Sequence, residues 1–137
     1  MSTTLPQLWA SLSVALAGGI GAVARYQLGR AVTWWLGPPV VGLFPFPTLA
    51  VNTLGSVLMG ALAGWLVRAA PENAEQLRLL LGVGLLGGFT TFSAFSLELA
   101  FLIERQQVGL AAIYLMLSVG LGVTGFAFGV FATKAFA

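Results

Sequence analysis

Apolar residues run along this chain in four long blocks, separated by short breaks that are polar or rich in proline. Crossing the hydrocarbon core of a bilayer takes roughly 20 mostly apolar residues, so each block predicts a membrane-spanning helix. The blocks extend from about Leu8 to Leu28, Thr48 to Val67, Leu77 to Ile103 and Gly109 to Thr133. Between the first two lies WWLGPPVVGLFPFP, whose prolines at 38, 39, 45 and 47 predict an irregular loop without regular helix. RAAPENAEQLR, from Arg68 to Arg78, is the one properly polar loop, and a short ERQQ turn joins the third block to the fourth. The pattern predicts an all-α membrane protein. It forms one domain over residues 1–137, a compact four-helix bundle with no internal repeat.

Composition sharpens this. Charged residues make up 7% of the chain and hydrophobic residues 58%, whereas a soluble domain carries about a quarter charged residues. The net charge of +2 rests on few ions, and no basic patch is interleaved with aromatics, so nucleic acid is not an expected partner. Cysteine and histidine are both absent. That removes disulfides, thiol chemistry, the usual zinc and haem ligands and the ordinary proton carrier near neutral pH. The first block lacks a positive leading region and a cleavage site before a polar domain, and reads as a retained helix.

Orientation follows the Lys/Arg balance across the membrane. The side with both termini holds Arg68, Arg78 and Lys134; the other holds Arg30 and Arg105, with Arg25 near the boundary. Almost no orienting bias results. Either a rarer acidic or lipid cue sets the topology, or the chain inserts both ways and opposed copies pair as an antiparallel dimer.

Helices in lipid associate through small residues and interhelical hydrogen bonds. In the second block Thr48, Asn52, Ser56, Gly60 and Gly64 recur every four residues. Ser56, Gly60 and Gly64 read as a packing groove. Asn52 must find partners or a wet cavity, and its two N–H donors suit either an anion or a structural bond. Tyr114, Ser118 and Gly122 share four-residue spacing in the fourth block, where Gly125 and Gly129 form a GxxxG pair. Tyr114 is either an interfacial anchor or, with Ser118, part of a face of hydroxyl donors. Gly18, Gly19, Gly21 and Ala22 allow close approach in the first block. Arg25 beyond them either snorkels or concentrates anions at a pathway mouth.

The uncharged run from Leu79 to Leu97 contains GGFTTFSAFS, an odd content for an apolar helix. Gly87 and Gly88 followed by Thr90 and Thr91 are weak helix formers. They fit either a tight helix crossing or a local break that frees carbonyl oxygens, which broken membrane helices use to coordinate Na⁺. Phe92 and Phe95 share a face, as do Ser93 and Ser96. Aromatic ring edges are electropositive, so a ladder of edges and hydroxyls suits a small anion in transit. Glu98, the only acid deep in a block, organises hydroxyls, pairs with Arg25 or marks an aqueous end.

GGFTTFSAFSLE at Gly87–Glu98, PTLAVNTLGS at Pro47–Ser56 and GAVARY at Gly21–Tyr26 together strongly resemble the CrcB/Fluc family of fluoride channels. The resemblance extends over essentially the whole chain. It implies an antiparallel, dual-topology homodimer with the third helix broken near Gly87–Thr91, two fluoride pores and a central Na⁺. By that resemblance the carbonyls of Gly87 and Thr90 from both subunits hold the Na⁺. Asn52 donates to fluoride, Phe92 and Phe95 line the path with ring edges, and Tyr114 and Ser118 contribute from the fourth helix. Ser93, Ser96 and Glu98 continue a polar track, with Thr48 and Arg25 towards its wet ends. The implied function is passive export of fluoride across the cell membrane, protecting a microbial cytoplasm. Ala94 stands where relatives often carry Thr, and Gly122 where some carry a second Ser.

Other classes fit less well. A small multidrug exporter also has four helices, but depends on a carboxylate in its first helix, and this chain has no acid before Glu72. A non-transporting assembly subunit leaves Asn52, Glu98 and FTTFSAFS without a purpose. A membrane enzyme would need a nucleophile–base pair or metal cluster that the sequence lacks.

Overall fold

A computed structural model of the chain describes residues 4–135. All its regular structure is helical. Helix α1 spans Thr4–Leu36, α2 Pro38–Leu43 and α3 Phe46–Ala69. The next stretch is composite: α4 (Ala74–Leu77), a π-helical run (Arg78–Leu86), then α5 (Gly87–Phe89) and α6 (Phe92–Glu104). Helix α7 spans Val108–Ala135. Four stretches are long and apolar enough to cross a membrane: Pro6–Leu36, Phe46–Ala69, Ala74–Glu104 and Val108–Ala135. The chain is a multi-pass membrane protein, and four crossings return residue 135 to the side where residue 4 begins.

Helical structure runs past the apolar blocks at every end, most of all in α1. At 33 residues that helix is about 50 Å long, more than a bilayer with its headgroups. It stops at Gly37, whose φ of 88° is open to glycine at no steric cost. The expectation of a non-helical proline loop needs correction, because Pro38 and Pro39 open α2 as its first residues. At those positions a missing N–H deprives no carbonyl of an intrahelical bond, and the fixed φ already suits a helix. Helix α3 ends in left-handed Ala70 (φ 38°), whose N–H donates to the Leu66 carbonyl, with Pro71 following.

Two helix pairs organise the bundle: α3 with α7, and α1 with the π-helical run and α5. Both rely on absent side chains. A Cβ on Gly60 would run into the Phe126 carbonyl, and one on Gly129 into the Val57 carbonyl, so α3 and α7 meet backbone to backbone. Across the other pair, a Cβ on Gly88 would strike the Gly18 carbonyl, and one on Gly21 the Leu85 carbonyl. Such close approach is how helices gain packing energy in lipid, where burying apolar surface against another helix yields little. Arg68, in the last turn of α3, donates to the Thr133 carbonyl near the end of α7 and ties these two ends together. Large apolar side chains remain outward along α1 and α7, among them Leu16, Ile20, Met116 and Val123, as a lipid-facing surface permits.

Candidate functional site

The helical run of the third span is interrupted at Thr90 and Thr91. Both have extended backbone, with φ/ψ of −82°/160° and −151°/117°. Thr90 still closes the preceding turn, its N–H and its hydroxyl both donating to the Leu86 carbonyl at 2.9 and 3.0 Å. Thr91 then caps α6, its Oγ1 accepting from the Ala94 N–H at 3.2 Å.

An extended residue between two helices leaves its peptide groups without helical partners, which is costly at membrane depth. Asn52 of α3 supplies them. Its Oδ1 accepts the Thr91 N–H at 2.8 Å, and its Nδ2 donates to the Thr91 carbonyl at 2.9 Å. A carboxamide thus completes both bonds of one backbone residue, and the second Nδ2 hydrogen has no partner among the described residues. Asn52, Ser56, Met59, Thr90, Thr91 and Phe92 help line a cavity of about 290 Å³.

A second polar group lies further along α6. Glu98 accepts from the Thr48 hydroxyl at Oε1 and from the Tyr114 hydroxyl at Oε2, each at 2.7 Å. The structure gathers two hydroxyls on Glu98. Among the described residues the one ion pair is Glu75–Arg78, on the surface, and Arg25 is not joined to Glu98. Tyr114 is no interfacial anchor: it is fully buried, with Phe44 against it edge-on at 5.5 Å and Phe95 tilted at 5.1 Å. Phe44, Leu49, Phe95, Leu102, Ala111 and Tyr114 form one apolar cluster, which meets this carboxylate through Tyr114.

The remaining expected residues fall around these two groups. Phe92 and Phe95 stand 5.5 Å apart, but Phe95 is buried while Phe92 is 79% exposed at the rim of the Asn52 cavity. Ser93 Oγ lies 3.3 Å from Thr91 Oγ1, and Ser96 donates to the Phe92 carbonyl at 3.0 Å. Ser118 Oγ is buried and has no partner among the described residues, one turn beyond Tyr114. Arg25 lines a cavity of about 320 Å³ that also reaches Thr48, Thr91 and Ala94. Gly87 is exposed.

Two contributions escaped sequence reasoning. Thr91 was read only as a weak helix former, and its capping role had a signal, since a threonine before a helix start is a capping residue. Phe44 had none, lying among prolines in what read as a loop.

Fold and site together define a small multi-pass membrane protein whose polar groups are gathered inside its helix bundle. A family model described as CrcB-like protein, Camphor Resistance (CrcB), matches residues 12–130. A protein of Erythrobacter litoralis named fluoride-specific ion channel FluC is 56% identical over 135 residues, covering 98% of this chain and 99% of the relative. One of the same name from Novosphingobium aromaticivorans is 58% identical over 116 residues, covering 85% and 89%. The chain belongs to this CrcB-like family, which is one of cell-membrane ion channels and not of enzymes.

Proposed function

We propose that the protein is a fluoride-selective channel that lets fluoride leave the cytoplasm passively, and that it works as an antiparallel, dual-topology homodimer. The relatives' names support fluoride as the ion. What carries the assignment physically is Ser118: a buried hydroxyl without a partner among the described residues, one turn beyond Tyr114, is a donor kept for something that passes. Asn52 offers its second Nδ2 hydrogen, and Phe92 and Phe95 offer ring edges. Ser93, Ser96, Thr48 and the hydroxyl-clamped Glu98 extend this polar lining, with Arg25 raising the anion concentration at the wet end. Such weak, multiple donors replace a hydration shell without trapping the ion.

The third span acts in this proposal as a broken helix at the centre of the dimer. The Thr91 N–H is turned to Asn52, so the Gly87 carbonyl one turn back is left free of it, and Gly87 has no side chain to cover that oxygen. Neutral carbonyl oxygens of Gly87 and Thr90, contributed by both copies, suit a hard monovalent cation, and the donor set fits Na⁺. The ion would supply a fixed positive charge where the two copies cross.

The test is ion efflux from proteoliposomes, comparing fluoride with chloride. Wild type should release fluoride rapidly and chloride negligibly, and Asn52→Ala and Phe92→Ile should each slow fluoride release by at least about tenfold. No fluoride efflux from well-folded wild type would overturn the assignment; efflux indifferent to both substitutions would move the pathway off these side chains.

A further inference from the structure

We infer that the C-terminal end of α1 carries a binding groove for the phosphate of an anionic phospholipid, centred on Arg30. This does not depend on what ion the protein conducts. The groove is a cavity of about 580 Å³ between α1 and the proline segment, lined by Arg25, Tyr26, Arg30, Thr33, Trp34 and Pro38 with others. Its chemistry is cationic and aromatic. Arg25 and Arg30 both face it, no acid lines it, and among the described residues neither arginine has a carboxylate within 4.0 Å.

The arginine is held ready. The Arg30 guanidinium lies over the Tyr26 ring, 5.8 Å from its centroid, which orients a planar group whose N–H edge suits phosphate oxygens. Beneath it Gly29 leaves the wall open, since a Cβ there would touch only Pro47, at 3.8 Å.

Depth identifies the occupant. Trp9 and Trp34 are both exposed on α1, at 70% and 86%, and tryptophans favour the membrane–water boundary. The 25 positions from one to the other span about 38 Å of helix, close to the thickness of a bilayer with its headgroups. Arg30, one turn inside Trp34, therefore lies just below the headgroups, within reach of lipid phosphate by extension of its side chain. Trp35, 79% exposed, adds a second ring at the same level. Arg25 sits deeper, where its charge favours a net-negative lipid over a zwitterionic one.

The experiment uses the full-length protein in detergent, with native mass spectrometry counting retained phosphatidylglycerol and phosphatidylcholine of identical acyl chains. Wild type should retain phosphatidylglycerol preferentially and gain thermal stability from it. Arg30→Gln should weaken that retention roughly fivefold, Trp34→Leu should weaken it less, and Arg78→Gln, at the opposite membrane face, should leave it unchanged. Arg30→Lys should recover part of the loss, which a merely misfolded variant would not. Equal retention by Arg30→Gln and wild type, or of the two lipids, would overturn the proposal. So would displacement of phosphatidylglycerol by millimolar inorganic phosphate, which would make this a free-anion site.

Discussion

The two ends of the α3–α7 pair are built on one pattern and behave as opposites. Along α3 the small residues Thr48, Asn52, Ser56, Gly60 and Gly64 form a single four-residue stripe. At the Gly60 end the stripe works by absence, and α7 comes so near that a Cβ on Gly60 would strike the Phe126 carbonyl and one on Gly64 the Thr133 hydroxyl. At the Thr48 end it works by reach: Thr48 and Asn52 stretch to Glu98 and Thr91 on the third span, and Tyr114 of α7 closes on the same carboxylate. Periodicity alone shows that a face is special. Whether it packs or binds depends on what stands opposite.

That contrast can be broken experimentally. The largest effect belongs to Gly129→Leu at the glycine end. The side chain meets the Val57 carbonyl with no flexible atom to yield, so the variant should lose at least about 3 kcal/mol and most monodisperse protein. Size-exclusion chromatography and thermal unfolding in detergent would show this, with flux and fold failing together. At the polar end Tyr114→Phe removes one of the two hydroxyls on Glu98, a loss of about 1–3 kcal/mol in a cavity-free replacement. Fluoride flux should fall more steeply than thermal stability, and equal falls would place this hydroxyl among the packing groups. Thr91→Ala deletes the cap of α6 at a cost of about 1 kcal/mol, restored by Thr91→Ser, as thermal unfolding would register. The smallest change is Ser96→Ala. That hydroxyl is exposed and bonded only to its own helix, so stability should stay within about 0.5 kcal/mol of wild type, with a flux loss below that of Asn52→Ala.

The same contrast explains how much was legible beforehand. Four long apolar blocks gave four long apolar helices, because length and hydropathy are local properties that the bilayer enforces. The glycines of α3 and α7 were readable as packing for a similar reason. The proline segment misled, since proline opposes helix only in its interior and Pro38 stands at a start. The π-helical run from Arg78 to Leu86 left no mark in composition, as wide turns arise from fit against a neighbour, here α1. At the polar end the individual residues could be named, but not their partners. Asn52 and Thr91 are 39 positions apart, Thr48 and Glu98 are 50, and nothing in either local sequence joins them. Phe44 was invisible because its role is to face a tyrosine 70 positions away.

The bridge from Asn52 to Thr91 also turns one proton into a gauge. The Thr91 amide lies outside any helical ladder and on an extended residue, where hydrogen would ordinarily trade with deuterium quickly. Its bond to a side chain of another helix ties that trade to the spacing between α3 and α6. Its exchange rate, followed by NMR or mass spectrometry, therefore reads how often those two helices part at the middle of the membrane, with no label added and no residue changed.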